Sequence, residues 1–271
     1  MLGKLMKKDL TATARYFIPL ILGFAGATIL GKILFEIALN GDLQARLQAQ
    51  EDQRLYEMFT ILGLVYLSLY IIYFIAYYIM TSVFIVYDFY KTMVSDQAYL
   101  THTLPVKAST LIWSKTLTAV IWQIAAGLMI LLAALLFMAG HFADIPAREI
   151  TDFIHYMYGM STASLCLYMA ASILLSAFCG PLMFFASIAI GHLFGRHRIV
   201  GAIASYMGIY TVLQILTTVV MVCMGYRLDS NYDMSWFFGN FMIYTLCYSV
   251  VAIAIFYWIT NRIFSRNLNL E

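Results

Sequence analysis

Residues 158–193 read YGMSTASLCLYMAASILLSAFCGPLMFFASIAIGHL. This run of about 36 residues contains no Asp, Glu, Lys or Arg. A helix needs about 20 residues to cross bilayer hydrocarbon. The run is therefore too long for one upright crossing and a little short for two. Gly180-Pro181, near its middle, offers a hairpin. Whether the chain turns there decides between six and seven crossings, and charges elsewhere in the sequence settle the choice.

The chain has 271 residues, 63% hydrophobic and only 11% charged, where a soluble domain carries roughly 25% charged residues. Lipid is its natural solvent. Six apolar runs are long enough to span, near 16–38, 58–87, 116–139, 158–193, 199–224 and 236–260. They do not alternate apolar and polar residues, so the fold is an all-α integral membrane protein rather than a barrel. With six spans, one side holds Lys4, Lys7, Lys8, Arg15, Lys91, Lys107, Lys115, Arg196, Arg198, Arg262 and Arg266. The other holds Arg46, Arg54, Arg148 and Arg227, among many acids. That bias places both termini in the cytoplasm of a multi-pass plasma-membrane protein. A hairpin at Gly180-Pro181 would move Arg196, Arg198, Arg262 and Arg266 across and nearly erase the bias. We therefore expect one long helix, kinked at Pro181, reaching roughly 50 Å against a core of about 30 Å.

Leu2, Leu5, Met6 and Leu10 recur at helical spacing opposite Lys4, Lys7 and Lys8, the pattern of a short amphipathic helix on the inner membrane surface. The apolar run that follows is too long for a cleavable leader and reads as a span that stays. Cys166, Cys179, Cys223 and Cys247 all fall in apolar runs without C-x-x-C spacing and read as small apolar filler. The outer connections are too short to fold alone, so residues 1–271 form a single membrane domain.

Catalysis or ion coupling at membrane depth needs ionisable groups there, and spans three, five and six carry none between their ends. No H-E-x-x-H and no G-x-x-x-x-G-K-[ST] occurs. The chain is not expected to be an enzyme, to hold a metal or cofactor, or to bind nucleic acid. Uphill work would need ATP and Mg bound by another subunit. Lys32 and Glu36 share a face of span one. They read either as a pair snorkelling at the interface or as the mouth of a translocation path, which makes them the two candidates for substrate contact. Gln123, Ser164, Ser172 and Gln214 read as interhelical hydrogen-bond partners.

The longest internal segment that cannot lie in a bilayer is 88–115. Ser95 and Asp96 suit a helix start and Pro105 a stop. The short helix between them would present Tyr99, Leu100 and Leu104 near one face, as knobs for a groove in a partner protein. The run Ser95-Asp96-Gln97-Ala98-Tyr99-Leu100-Thr101-His102-Thr103-Leu104-Pro105-Val106, with Ser114-Lys115 after it, resembles the permeases of the second class of ATP-binding-cassette (ABC) exporters. In those permeases an acidic residue, a Tyr-Leu pair and a Leu-Pro pair mark the coupling helix between spans two and three. Lys115 matches the basic residue that commonly opens span three. Gly191-His192-Leu193-Phe194-Gly195-Arg196 fits the second cytoplasmic turn.

The resemblance implies a transmembrane permease subunit moving an amphipathic or hydrophobic cargo out of the cytoplasm or inner leaflet. Asp96, Tyr99, Leu100, His102, Leu104, Pro105 and Arg196 would couple it to a nucleotide-binding ATPase subunit. It also implies a second permease subunit, a homo- or heterodimer partner, met through spans one and five. Gly23 and Ala27 on span one, and Gly201, Ala204, Ser205 and Gly208 on span five, have the small-residue spacing that lets helices approach. They suit packing within one subunit equally well. The alternative function is a non-transporting scaffold or sensor that recruits a cytoplasmic partner.

Overall fold

The computed structural model describes residues 2–39, 53–95, 107–138, 147–225 and 234–266. Among them there is no strand. Seven α-helices follow in order: α1 (Leu2–Leu39), α2 (Gln53–Met93), α3 (Ala108–Met138), α4 (Ala147–Tyr158), α5 (Thr162–His192), α6 (Arg198–Gly225) and α7 (Met234–Arg266), with a 3₁₀ turn, Gly195–His197, before α6. All but α4 are long and apolar enough to cross a membrane. The protein is a multi-pass, all-α membrane protein with six candidate spans.

The decisive run is one helix. α5 passes through Gly180-Pro181 unbroken, from an N-cap at Ser161, whose hydroxyl accepts from Ser164 N–H at 3.3 Å. Pro181 is buried. A proline inside a helix forgoes one backbone bond, and neighbouring spans make that tolerable. Two other expectations change. The amphipathic N-terminal stretch is not a separate helix: α1 runs from Leu2 to Leu39 without a break. The helix passes even through Pro19. The connection near 140–157, read as an outer loop too short to fold alone, contains the twelve-residue helix α4. Glu149 sits in its first turn and His155 in its last, each favourable to the helix dipole. Gly159, at φ 66°, ends it in the left-handed conformation that suits glycine.

The chain divides into two compact units. One comprises residues 11–84 and 125–142. Its core is an aromatic stack in which the Phe24 ring lies 4.2 Å from Tyr77 and 6.0 Å from Tyr73, beside the small residues Ala126 and Ala133 of α3. Tyrosines of α2 seat along α1: Tyr66 donates to the Ala27 carbonyl at 2.8 Å, and the Tyr70 hydroxyl lies 3.2 Å from that of Thr28. Gly31 is buried beneath the Tyr66 ring, where a Cβ would collide with it. Gly26 of the same helix faces open space. We expect Gly31→Ala to cost about 1–3 kcal/mol, because the ring must yield and its hydrogen bond with it. Gly26→Ala should gain up to about 1 kcal/mol from helix propensity. Reversible unfolding in detergent micelles measures both, and equal effects would refute the seating.

The other unit comprises residues 1–10, 85–124 and 143–271. Its buried side chains include Phe89 and Met93 of α2, Ile112 and Thr116 of α3, Leu182, Phe185 and Ala186 of α5, and Phe256, Thr260 and Phe264 of α7. α5 is the hub, packed along both α6 and α7.

Candidate functional site

The ends of α2 and α3 that flank residues 96–106 are held by a buried ion cluster. Asp88 lies just over a turn before the end of α2, and Lys115 lies two turns into α3. Lys115 Nζ donates to Asp88 Oδ2 at 2.9 Å and to Asp9 Oδ1 at 2.9 Å. Ser114 Oγ donates to the second oxygen of Asp9 at 2.9 Å. The lysine side chain is only 7% exposed, against 17% for Asp9 and 23% for Asp88. A lone ammonium buried this deeply would be costly. Two carboxylates satisfy it, and charge-assisted bonds at these lengths are the strong kind. One lysine thereby ties three chain segments: the start of α1, the end of α2 and the start of α3.

An aromatic lock stands beside the cluster. Phe89 follows Asp88 directly and stacks on Phe185 with ring centroids 3.8 Å apart and planes 11° from parallel. Phe264 meets Phe89 edge-on at 5.8 Å. The end of α2 is thus fixed to α5 and α7 as well as to α3.

The turn between α5 and α6 belongs to the same end. Phe194 N–H donates to Gly191 O at 3.1 Å and His197 N–H to Phe194 O at 3.3 Å. Gly191 is buried against the Ala202 backbone, where a Cβ would clash, and Gly201 is buried under the Phe194 ring. Both glycines let α6 fold back tightly on α5. A cavity of about 440 Å³ is lined by Tyr90 of α2 together with Gly195, His197 and Arg198. The last turn of α2, at Tyr90, is therefore a neighbour of the 195–200 turn.

The sequence-derived site residues are distributed as follows. Asp96, Tyr99, Leu100, His102, Leu104 and Pro105 lie outside the described residues. Arg196 is in the 3₁₀ turn. Lys32 pairs with Glu36 at 2.8 Å and, 12% exposed, also reaches the Phe137 carbonyl of α3 at 3.5 Å. A cation at a helix C-terminal end complements the dipole there, so this pair closes a helix end. Gly23 lies beside the Tyr73 hydroxyl and Ala27 under Tyr66, both of this same chain. On α6, Gly201 is filled by Phe194, whereas Gly208 has open space and Ala204 is exposed. Among the described residues no three His, Cys, Asp or Glu side chains gather as metal ligands.

Asp9 and Asp88 were not among those candidates. The signal was present for Asp9, an acid on the stripe that carries Leu5, Met6 and Leu10. A charge on the apolar face of a helix calls for a partner. Comparison with family models, with curated proteins and with solved structures returns no match for this chain.

Proposed function

We propose that this chain is the transmembrane permease subunit of an ATP-driven exporter of the ABC type, lodged in the plasma membrane with both termini cytoplasmic. Separate ATPase subunits bind ATP and Mg and rest against residues 96–106 and the 191–200 turn. The cargo is amphipathic or hydrophobic, and a second permease subunit completes the path. The observation that supports this reading is the anchoring of the helix ends that flank 96–106 by the Asp9–Lys115–Asp88 cluster, with Tyr90 of α2 facing the 195–200 turn. A segment that is to be pushed needs a stiff mount. Here both of its flanking helices are anchored within about two turns of it.

In this mechanism nucleotide binding closes two ATPases, which press on Tyr99, Leu100 and Leu104. The unbroken helices α2 and α3 carry the displacement, because rigid elements with packed ends transmit motion where loose ones absorb it. The dimer contact is assigned to the small-residue face of α6, where Gly208 has open space and Ala204 is exposed.

The test is recovery of an ATPase carrying a Walker motif with this chain when it is purified from its native membrane. Tyr99→Asp and Leu100→Asp are expected to abolish its co-purification and leave helix content and unfolding temperature unchanged. Retained partner binding and transport in both variants would refute the coupling role. Binding without cargo-stimulated hydrolysis would favour the scaffold or sensor instead.

A further inference from the structure

Among the described α-helices, α4 alone is too short to span: its twelve residues reach about 18 Å, against about 30 Å of hydrocarbon. Its C-terminal end is nonetheless fixed at the level where two candidate spans begin. A Cβ on Gly159, the residue that ends α4, would lie 3.0 Å from Ser235, and the Tyr158 ring lies 5.4 Å from that of Phe238. Ser235 opens the apolar span of α7, and Thr162, three residues past Gly159, opens that of α5. A turn or two further along these helices, Leu167 of α5 and Ile243 of α7 are 74% and 63% exposed. In a multi-pass membrane protein such side chains meet acyl chains, so α4 ends where lipid begins.

α4 has two unlike sides. Arg148, Thr151, Asp152 and His155 stand at i, i+3, i+4 and i+7, which makes one polar stripe, and all four are exposed. On the other side Ile154, Met157 and Tyr158 are half-buried, and α4 packs chiefly on α7. Phe153 belongs to this apolar side, four residues before Met157 and so one turn from it. Yet Phe153 is 60% exposed, and Tyr156, the next aromatic residue along its edge, is 78% exposed. The protein therefore covers only part of the apolar side. With the polar stripe in water, the uncovered part is turned toward the bilayer, at the level that Ser235 and Thr162 set. Aromatic rings are favoured at that boundary of headgroups and acyl chains, and an amphipathic helix lies in its plane.

We infer that α4 is an in-plane anchor, with the Phe153 and Tyr156 rings seated in the surface of the leaflet from which α5 and α7 start. The partner is a zwitterionic phospholipid surface. Arg148 is mixed with Glu149 and Asp152 on α4, so no block of one sign is present to select an oppositely charged headgroup. Only residues 159–161 separate the anchor from α5, the hub of its unit, so the anchor sets the depth at which α5 enters the membrane. The inference needs the membrane setting alone. It depends neither on the exporter reading nor on which leaflet is the outer one.

Photocrosslinking tests it, with p-benzoylphenylalanine in place of Phe153, Tyr156 or Thr151 and the full chain in phosphatidylcholine nanodiscs. Phospholipid adducts, read by mass spectrometry, are expected at 153 and 156 at about fivefold or more the yield at 151, which lies on the polar stripe. Adding phosphatidylglycerol should not enrich that lipid among the adducts. A second readout carries no photolabel. Phe153→Ser should speed amide hydrogen exchange across 147–158 in the nanodiscs by about threefold to tenfold, whereas Phe153→Trp, which also suits the interface, should leave it near that of the unaltered chain. That pair decides alone if the photolabel unsettles α4. Equal adduct yields at 151 and 153, crosslinks from 153 to protein instead of lipid, adducts dominated by phosphatidylglycerol, or equal exchange in the two Phe153 variants would overturn the inference.

Discussion

Lys115→Met is expected to destabilise the protein by about 3–5 kcal/mol, the usual result of removing one partner from a buried ion pair. The loss exceeds two hydrogen bonds. Methionine matches the length of the lysine stem, so packing is largely kept. What remains is Asp9 and Asp88, both mostly buried and both without the ammonium that each contacts at 2.9 Å. Two desolvated carboxylates on one vanished cation also repel each other. The triple variant Asp9→Asn, Asp88→Asn, Lys115→Met should recover most of the loss, because a neutral cluster of similar volume is often as stable as the ionic one. Unfolding in detergent micelles, run on the single and triple variants, measures this. A cost below about 1 kcal/mol for the single variant would mean that the trio behaves as an exposed surface pair. If the cluster mounts the 96–106 segment, Lys115→Met should also weaken association with an ATPase partner, and the triple variant should restore part of it.

The six spans were legible because each is an apolar run whose length matches the bilayer, and because the count of basic residues rejected a turn at Gly180-Pro181. The ends of the helices were harder to read. α3 was expected from residue 116 and begins at Ala108. Ser114, Lys115, Thr116 and Thr118 look like water-facing residues, yet all four are buried. Three of the four find partners by folding: Ser114 donates to Asp9, Lys115 to two carboxylates, and Thr116 to the Ile112 carbonyl at 2.9 Å. The second span was expected to end at residue 87, and its helix continues to Met93 for the same reason. A charge marks the end of a span only while it has no buried counter-charge, and a partner 106 residues away in sequence leaves no local signal.

α4 is the opposite case, a local signal that was passed over. Ile150, Phe153, Ile154 and Met157 follow helical spacing, between an acidic first turn and a terminating glycine. α1 shows how a pattern can be read correctly and divided wrongly. The amphipathic face of residues 2–10 exists, with Leu5, Met6 and Leu10 half-buried and Lys4, Lys7 and Lys8 exposed. The helix continues into the span even through Pro19, where a proline would ordinarily invite a break.

Phe185→Ala is the second large effect, expected at about 3 kcal/mol, toward the lower end of the range for deleting a buried aromatic ring. Membrane setting is the reason for the lower figure. Between helices in lipid the gain from burial is close packing rather than removal from water, so deletion forfeits dispersion contacts and opens a void. The void here is hard to close. Phe185 is 1% exposed and Phe89 0%, and their rings stack at 3.8 Å with Phe264 against the edge. Three different helices would have to shift for it to collapse. A double-mutant cycle with Phe89→Ala should show a coupling of about 0.5–1.5 kcal/mol, the value of a well-placed aromatic pair. Additive losses would mean that the rings fill space without interacting. The same cycle speaks to mechanism, because Phe89 is the direct neighbour of Asp88. If the aromatic lock and the ion cluster hold one rigid mount, Phe185→Ala should speed hydrogen exchange in 85–95 and 108–116 as strongly as Lys115→Met does. Faster exchange confined to α5 and α7 would separate the two features and leave the end of α2 secured by Lys115 alone.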